Sequence, residues 1–118
     1  MENLPPDIVE ALKSIDAAIT VCDIDMKLLY MNKMAARNFS GPDGPPPLGS
    51  NLQSCHKPHS IEAMKAMLSS GKSNIYTILK SGQKKLIWQA PWMKEGRIAG
   101  LVEISIQLPE NMPHYDRG

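Results

Sequence analysis

The sequence has few aromatic residues, few cysteines and no long apolar run. Aromatic residues make up 5% of its 118 residues, and cysteine occurs twice, at Cys22 and Cys55. Two isolated cysteines argue against a small disulfide-stabilised scaffold and favour a reducing compartment. No stretch approaches the ~20 apolar residues of a membrane-spanning helix, and the first residues lack the basic and apolar regions of a signal peptide. We therefore expect a cytoplasmic protein that makes no membrane contact.

The chain also lacks an excess of charge of either sign. Thirteen Lys and Arg residues balance twelve Asp and Glu residues, for a net charge of +1. This balance disfavours a broad electrostatic surface for nucleic acid, so we predict no nucleic-acid partner. The sequence has no glycine-rich phosphate loop, no nucleophile elbow and no kinase motif. We therefore predict that the protein is not an enzyme.

What the sequence does have is the length of one domain and an abundance of methionine. The length fits a single domain with a core of its own. Eight methionines stand beside a single phenylalanine. Methionine is flexible and polarisable, so its abundance indicates either simple core filling or an interior that adapts to varied ligands.

Changes in hydrophobic period along the chain predict an α+β domain. We expect an N-terminal cap helix within 1–16, a domain over 17–108 and a flexible tail over 109–118. Within these limits the patterns predict a helix over 6–14, strands over 18–23 and 27–31, a short helix capped by Asn32, a loop over 40–50, a helix over 61–68 capped by Ser60 and stopped by Gly71, and strands over 74–80, 84–93 and 98–108.

Two of the predicted strands carry irregularities. Pro91 interrupts the strand over 84–93, which indicates a sheet edge or a bulge. In the last strand, Leu101 breaks an otherwise polar face, which indicates that this face is also partly covered.

The order and spacing of these elements resemble the PAS fold. The segments 19–23, ending in Asp23, and 29–32, ending in Asn32, are similar to the family's opening hairpin, and 96–103 is similar to its final turn and strand. The resemblance covers about 8–108. It implies a five-stranded antiparallel sheet in the order 2-1-5-4-3, with helices closing one face over a pocket. Cys55, His56 and Pro58 also resemble a Cys-His-Pro element of some bacterial PAS domains, although His59 stands where these more often have lysine.

Cys55, His56 and His59 form the densest group of reactive side chains. They could ligate a metal or a haem iron, but their spacing is too tight to complete a structural zinc site. The thiol of Cys55 could instead act as a redox sensor if neighbouring charges lower its pKa. Flavin photochemistry is disfavoured, because the arginine and apolar residues that follow the cysteine of light-sensing PAS domains are missing here. The plain alternative is that His56 bonds local backbone and His59 is exposed.

We predict that the protein is a sensory, signal-transduction domain that binds an unknown small ligand in an apolar pocket. The residues predicted to contact this ligand are Cys55, His56, Met64, Tyr76 and Trp88. The residues predicted to form a homodimer interface are Ile8, Leu12, Ile15, Trp92 and Leu101, because apolar and aromatic side chains are favoured at interface centres. Met1 and the tail past Pro109 favour a complete small protein that acts on a partner signalling protein. The alternatives are a ligand-free interaction module and a haem-based or thiol-based redox sensor.

Overall fold

The structure is a computed structural model that describes residues 5–54 and 56–118. Cys55 therefore lies outside the described residues, and so do residues 1–4. The elements, in chain order, are α1 (Pro6–Ser14), β1 (Ala18–Asp23), β2 (Leu28–Met31), α2 (Lys33–Asn38), a 3-10 turn (Leu52–Ser54), α3 (Pro58–Ser70), β3 (Asn74–Lys80), β4 (Gln83–Lys94) and β5 (Arg97–Gln107).

The five strands form one antiparallel sheet in the order β2-β1-β5-β4-β3, which confirms the predicted fold class. Two tight turns set the register of its second half. Ser81 and Gly82 join β3 to β4, and Glu95 and Gly96 join β4 to β5, all four with positive φ. Paired positive φ angles are typical of type I′ turns, whose twist matches that of the strands they connect.

Pro91 does not lie on a sheet edge, because β4 pairs with β3 on one side and β5 on the other. It keeps its register position opposite Leu101. The register shifts directly after it, between Trp92 and Met93. Of the two predicted explanations for this proline, the edge is therefore wrong, and an irregularity lies one residue further on.

Helix α3 begins earlier than its sequence pattern predicted. It starts at Pro58 with Lys57 in the cap position, so the prediction of Ser60 as the cap is wrong. Proline favours this start because its fixed φ suits the first turn of a helix, where its missing N–H costs nothing. At the other end, Gly71 takes a φ of 75° and its N–H donates to the Met67 carbonyl, which confirms the predicted stop.

Asn32 joins the first half of the fold together. Its side chain is 1% exposed and caps α2, as predicted, by accepting from the backbone N–H of Ala35 at 3.0 Å. The same oxygen accepts from the N–H of Ile19 at 3.0 Å. Its amide donates to the carbonyls of Leu12 at 3.1 Å and Ala17 at 2.7 Å. One side chain therefore fixes α1, β1 and α2 relative to the end of β2.

The core lies between the helices and one face of the sheet, called the inner face below. Methionines contribute strongly to it, as the composition indicated, and its buried members are Cys22, Met26, Leu28, Leu52, Met64, Met67 and Leu101. Leu101 is 6% exposed, so its predicted place in a dimer interface is wrong. The prediction that its face of β5 is covered is confirmed.

The last residues, 109–118, have no regular secondary structure and are exposed. Arg117 lies over the ring of Tyr115, 5.6 Å from its centroid. In the part of the chain that the structure describes, no helix is both long enough and apolar enough to cross a membrane.

Candidate functional site

A cavity of about 440 Å³ lies between α3 and the inner face of the sheet. Its size falls within the range of small-molecule sites in proteins. Apolar side chains from α3 and the core form one part of it, and polar side chains from β3, β4 and β5 form another. The lining residues are Cys22, Phe39, Leu52, His56, His59, Ser60, Ala63, Met64, Met67, Asn74, Tyr76, Gln89, Leu101, Val102 and Glu103.

The cavity brings together three of the residues predicted to contact a ligand: His56, Met64 and Tyr76. Trp88 is elsewhere. Its neighbour Gln89 points into the cavity, and successive side chains of a strand point to opposite faces, so Trp88 lies on the outer face. The prediction for Cys55 falls outside the described residues. His59 is exposed, as the plain alternative expected, but it also lines the cavity.

Sequence reasoning missed a layer of polar side chains across the inner face. Asn74, Gln89 and Glu103 are directly paired on β3, β4 and β5. The amide of Asn74 donates to Gln89 Oε1 at 3.3 Å. Gln89 Nε2 donates to Glu103 Oε2 at 2.8 Å and to the Tyr76 hydroxyl at 3.4 Å. The cavity therefore combines a larger apolar part with a polar layer that the sequence analysis did not predict.

The signal for this layer is present in the sequence but needs the register to be read. Glu103 stands among apolar residues of β5, and Gln89 lies beside Trp88 on β4, so each strand has an isolated polar position. Only the pairing of Gln89 with Glu103 shows that these positions share one face.

Burial affects two titratable groups at the cavity. Desolvation raises the pKa of Tyr76, and the negative charge of Glu103 raises it further, against a smaller opposing effect of the Gln89 hydrogen bond. Desolvation also raises the pKa of the Cys22 thiol, which is 2% exposed. Both groups are therefore neutral at physiological pH, and Cys22 is a poor nucleophile.

His56 is held at the junction between the 3-10 turn and α3. Its Nδ1 lies 2.9 Å from the Leu52 carbonyl oxygen, which can only accept, so Nδ1 carries the hydrogen. This local backbone bond is the plain role predicted for His56. Among the described residues, no three His, Cys, Asp or Glu side chains are grouped so that they could hold a metal ion.

The outer face of the sheet is apolar and largely uncovered. Trp88 is 47% exposed and Leu79 is 76% exposed, and Ile75 and Ile106 on the same face are also exposed. Isolated exposed apolar residues are ordinary, but a contiguous group on one face typically marks an interaction surface.

Helix α1 contacts the rest of the chain very little. Of its residues only Val9 is half-buried, and the predicted interface residues Ile8, Leu12 and Ile15 are 47%, 42% and 49% exposed. Burial and, next, the charge of Glu10 in α1 raise the pKa of Tyr30 on β2.

Trp92, also predicted at an interface, has a role within the protomer. Its indole Nε1–H donates to the Cys22 carbonyl oxygen at 2.9 Å. The β1–β2 register shifts between Val21 and Cys22, so the indole satisfies a carbonyl at an irregular place in the sheet. The ring reaches β1 by passing over Gly100, where a Cβ atom would lie 2.6 Å from Nε1.

A second hollow, of about 500 Å³, lies near the start of β1 and the end of β5. Its lining includes Asp16, Met34, Lys85 and Gln107. It contains none of the residues predicted to contact a ligand, so the cavity beneath α3 is the candidate site.

No protein-family model and no curated protein sequence matches the chain. Solved structures do. The chain is similar to the PAS domain of a Colwellia psychrerythraea protein, with 15% identity, a TM-score of 0.62 and coverage of 89% of this chain and 97% of that one. It is similar to a sensory box histidine kinase from Vibrio cholerae, with 15% identity, a TM-score of 0.63 and coverage of 86% and 90%.

The chain is also similar to VqmA from Vibrio cholerae, in a complex with ligand and DNA, with 13% identity and a TM-score of 0.69. That match covers 90% of this chain and 52% of VqmA, so this chain spans about half the length of VqmA. The strand order, the helices on the inner face and these similarities together show that the chain has the PAS fold.

Proposed function

We propose that the protein is a sensory domain that binds a small organic molecule in the cavity beneath α3 and signals as a homodimer. The observation that carries this proposal is the cavity itself. A space of about 440 Å³, partly open to solvent, separates α3 from the polar layer of the sheet. Ligand sites in proteins combine apolar walls with a few placed polar groups, and this cavity has both.

The similarity to VqmA supports the ligand part of the proposal. VqmA has been crystallised bound to DPO, and the chain covers 58% of VqmA in that structure. Methionines supply the movable wall here, because Met64 and Met67 of α3 are buried in the core and line the cavity. Their flexible side chains can adjust to a bound molecule without disturbing the helix.

The test of ligand binding is an absorption spectrum of the purified protein, followed by mass spectrometry of what a denaturant releases. We expect a small organic molecule released from wild-type protein. Ala63→Phe fills the cavity and should abolish this release. Ala66→Phe is the matched control, because Ala66 lies one turn further along α3, is exposed and does not line the cavity. Release that is equal from both variants would contradict the proposal.

The dimer part rests on the exposure of α1. A nine-residue helix is too short to be stable in water without tertiary packing. Nearly all of α1 is nevertheless exposed, including Ile8 and Leu12, and so is Ile15 directly after it. The outer face of the sheet carries a matching excess of apolar surface. If α1 of one copy packs on the outer face of a second copy, both apolar surfaces are removed from water. VqmA, for its part, forms a dimer.

Sedimentation velocity tests the dimer. Leu12→Asp places a charge in the middle of the α1 apolar surface and should shift the protein to monomer. Leu48→Asp is the matched control, because Leu48 is 67% exposed in the loop before the 3-10 turn. A wild-type protein that sediments as a monomer at micromolar concentration, or equal behaviour of the two variants, would refute this part.

A ligand-free interaction module is the second candidate, and the exposed α1 and outer face favour it equally. A colourless protein that releases no molecule but dimerises through α1 would establish it.

The spectrum also tests the haem hypothesis, because a Soret band lost in His56→Ala or His59→Ala would assign the haem to these residues. The balanced charge of the chain leaves our prediction of no nucleic-acid partner in place, and the DNA binding of VqmA belongs to a protein about twice as long.

A further inference from the structure

The inner wall of the cavity carries one formal negative charge, on the carboxylate of Glu103. This side chain is half-buried on the central strand β5. Gln89 is its hydrogen-bond partner among the described residues, at 2.8 Å. Within that part of the chain no Lys, Arg or His nitrogen lies within 4.0 Å of it, since the ion pair found there joins Lys13 to Glu10. A carboxylate that faces a cavity with no cation beside it leaves a negative charge with which a bound ligand can pair.

The hydrogen bonds already made leave mainly acceptors facing the cavity. Gln89 uses both amide hydrogens, one toward Glu103 and one toward the Tyr76 hydroxyl, and its oxygen accepts from Asn74. What the layer still offers is the carboxylate of Glu103 and the amide oxygen of Asn74 as acceptors, and one amide hydrogen of Asn74 and the hydroxyl hydrogen of Tyr76 as donors. A ligand that complements this wall must bring hydrogen-bond donors.

The opposite wall defines the other end of the ligand. Met64 and Met67 of α3, with Leu101 below them, form a soft apolar surface. Methionine sulfur also makes favourable contacts with aromatic rings. His56 and His59 line the cavity as well.

We propose that the cavity binds a small organic cation, with a protonated amine or amidine at Glu103 and an apolar or aromatic body against the methionines. This inference rests on the proposed ligand-binding function and names the chemical class of the ligand. Glu103 supplies the charge, and Gln89 positions it. Anionic ligands are excluded by the same carboxylate, because they would place like charges together in a partly desolvated site.

Three probes of the same size and shape test this: benzamidinium, benzamide and benzoate. Their dissociation constants are measured by isothermal titration calorimetry with the full chain. We expect benzamidinium to bind at least about tenfold more tightly than benzamide, the effect of one hydrogen bond to a charged group. Benzoate should bind most weakly of the three.

Glu103→Gln should abolish the preference for the cation while leaving the fold intact, because the new amide oxygen can still accept from Gln89. Glu110→Gln is the matched control, since Glu110 is exposed outside the sheet, and it should keep the wild-type order. Equal binding of the three probes, a preference for benzoate, or a cation preference that survives Glu103→Gln would each overturn the inference. Binding of none of them would also overturn it. The ligand-binding function is judged separately, by the molecule released on denaturation and by Ala63→Phe.

Discussion

Replacing Asn32 by alanine should destabilise the protein strongly, although the substitution touches no residue of the cavity. The change removes four hydrogen bonds at once and leaves their backbone partners unsatisfied. The two bonds to Ala17 and Ala35 are buried, and those to Leu12 and Ile19 are partly buried. Alanine also removes the cap of α2.

The magnitude follows from the burial of these partners. A buried backbone group left without a hydrogen bond costs about 1–3 kcal/mol. The two buried groups each bear this cost, while water recovers part of it at the two half-buried groups. We therefore expect a loss of about 3–5 kcal/mol, a large share of the roughly 5–15 kcal/mol by which a domain of this kind is usually stable.

Urea unfolding followed by far-ultraviolet circular dichroism measures this loss. The midpoint should fall while the dependence of the unfolding free energy on urea concentration stays unchanged. Asn38→Ala is the matched control, because Asn38 is exposed at the end of the same helix and should cost within about 0.5 kcal/mol. A loss below about 1 kcal/mol for Asn32→Ala would show that the four bonds do not hold α1, β1 and α2 together.

The packing and titration of the site lead to three further predictions. Gly100→Ala should lower the unfolding free energy measured in urea by about 3 kcal/mol or more, because the new Cβ would overlap the Cys22 carbonyl oxygen and the indole of Trp92. Gly41→Ala is the control and should be neutral, because the space around Gly41 is open. Iodoacetamide should label Cys22 far more slowly in native than in urea-unfolded protein, by peptide mapping, and equal rates would contradict its burial and raised pKa. The raised pKa of Tyr76 adds stability that is fully present below pH ~10 and is lost as the pH rises through the higher folded-state pKa. The loss of unfolding free energy at alkaline pH should therefore be smaller in Tyr76→Phe than in the wild type. Tyr115→Phe should lose as much as the wild type.

Local signals were sufficient to predict most of the fold. The bounds of α1, β1 and β3 match the predicted ones, and the turns at Ser81-Gly82 and Glu95-Gly96 fall in the gaps between the predicted strands. The bounds of these elements are determined by local signals, namely the hydrophobic period and nearby proline and glycine residues. The start of α3 was missed because Ser60 is an equally good cap by residue type. That the helix begins at Pro58 instead depends on the direction in which the chain leaves the 3-10 turn.

The cavity was only half predictable, because its parts come from strands far apart in the sequence. Met64 and His56 could be placed from helix spacing and resemblance. The polar layer could not, because Glu103 has no evident partner in sequence, and Gln89 becomes one only through the β4–β5 register. Trp88 was assigned to the ligand for the same reason: aromatic character suggests a pocket, but the side of the strand on which it lies is fixed by pairing.

Part of the sheet departs from the usual rule, and this departure links the cavity to the proposed interface. In an antiparallel sheet with one covered face, the apolar residues normally lie under the helices and the polar ones face water. Here the inner face carries the polar pair Gln89 and Glu103 at the cavity, beside the buried core, while Trp88 and Ile106 on the outer face are exposed. The polar layer at the cavity is complemented by polar groups of a bound ligand. The apolar outer face is complemented by the apolar surface of a second chain. Since Gln89 follows Trp88 directly on β4, a ligand and a second chain would act on opposite sides of the same strand.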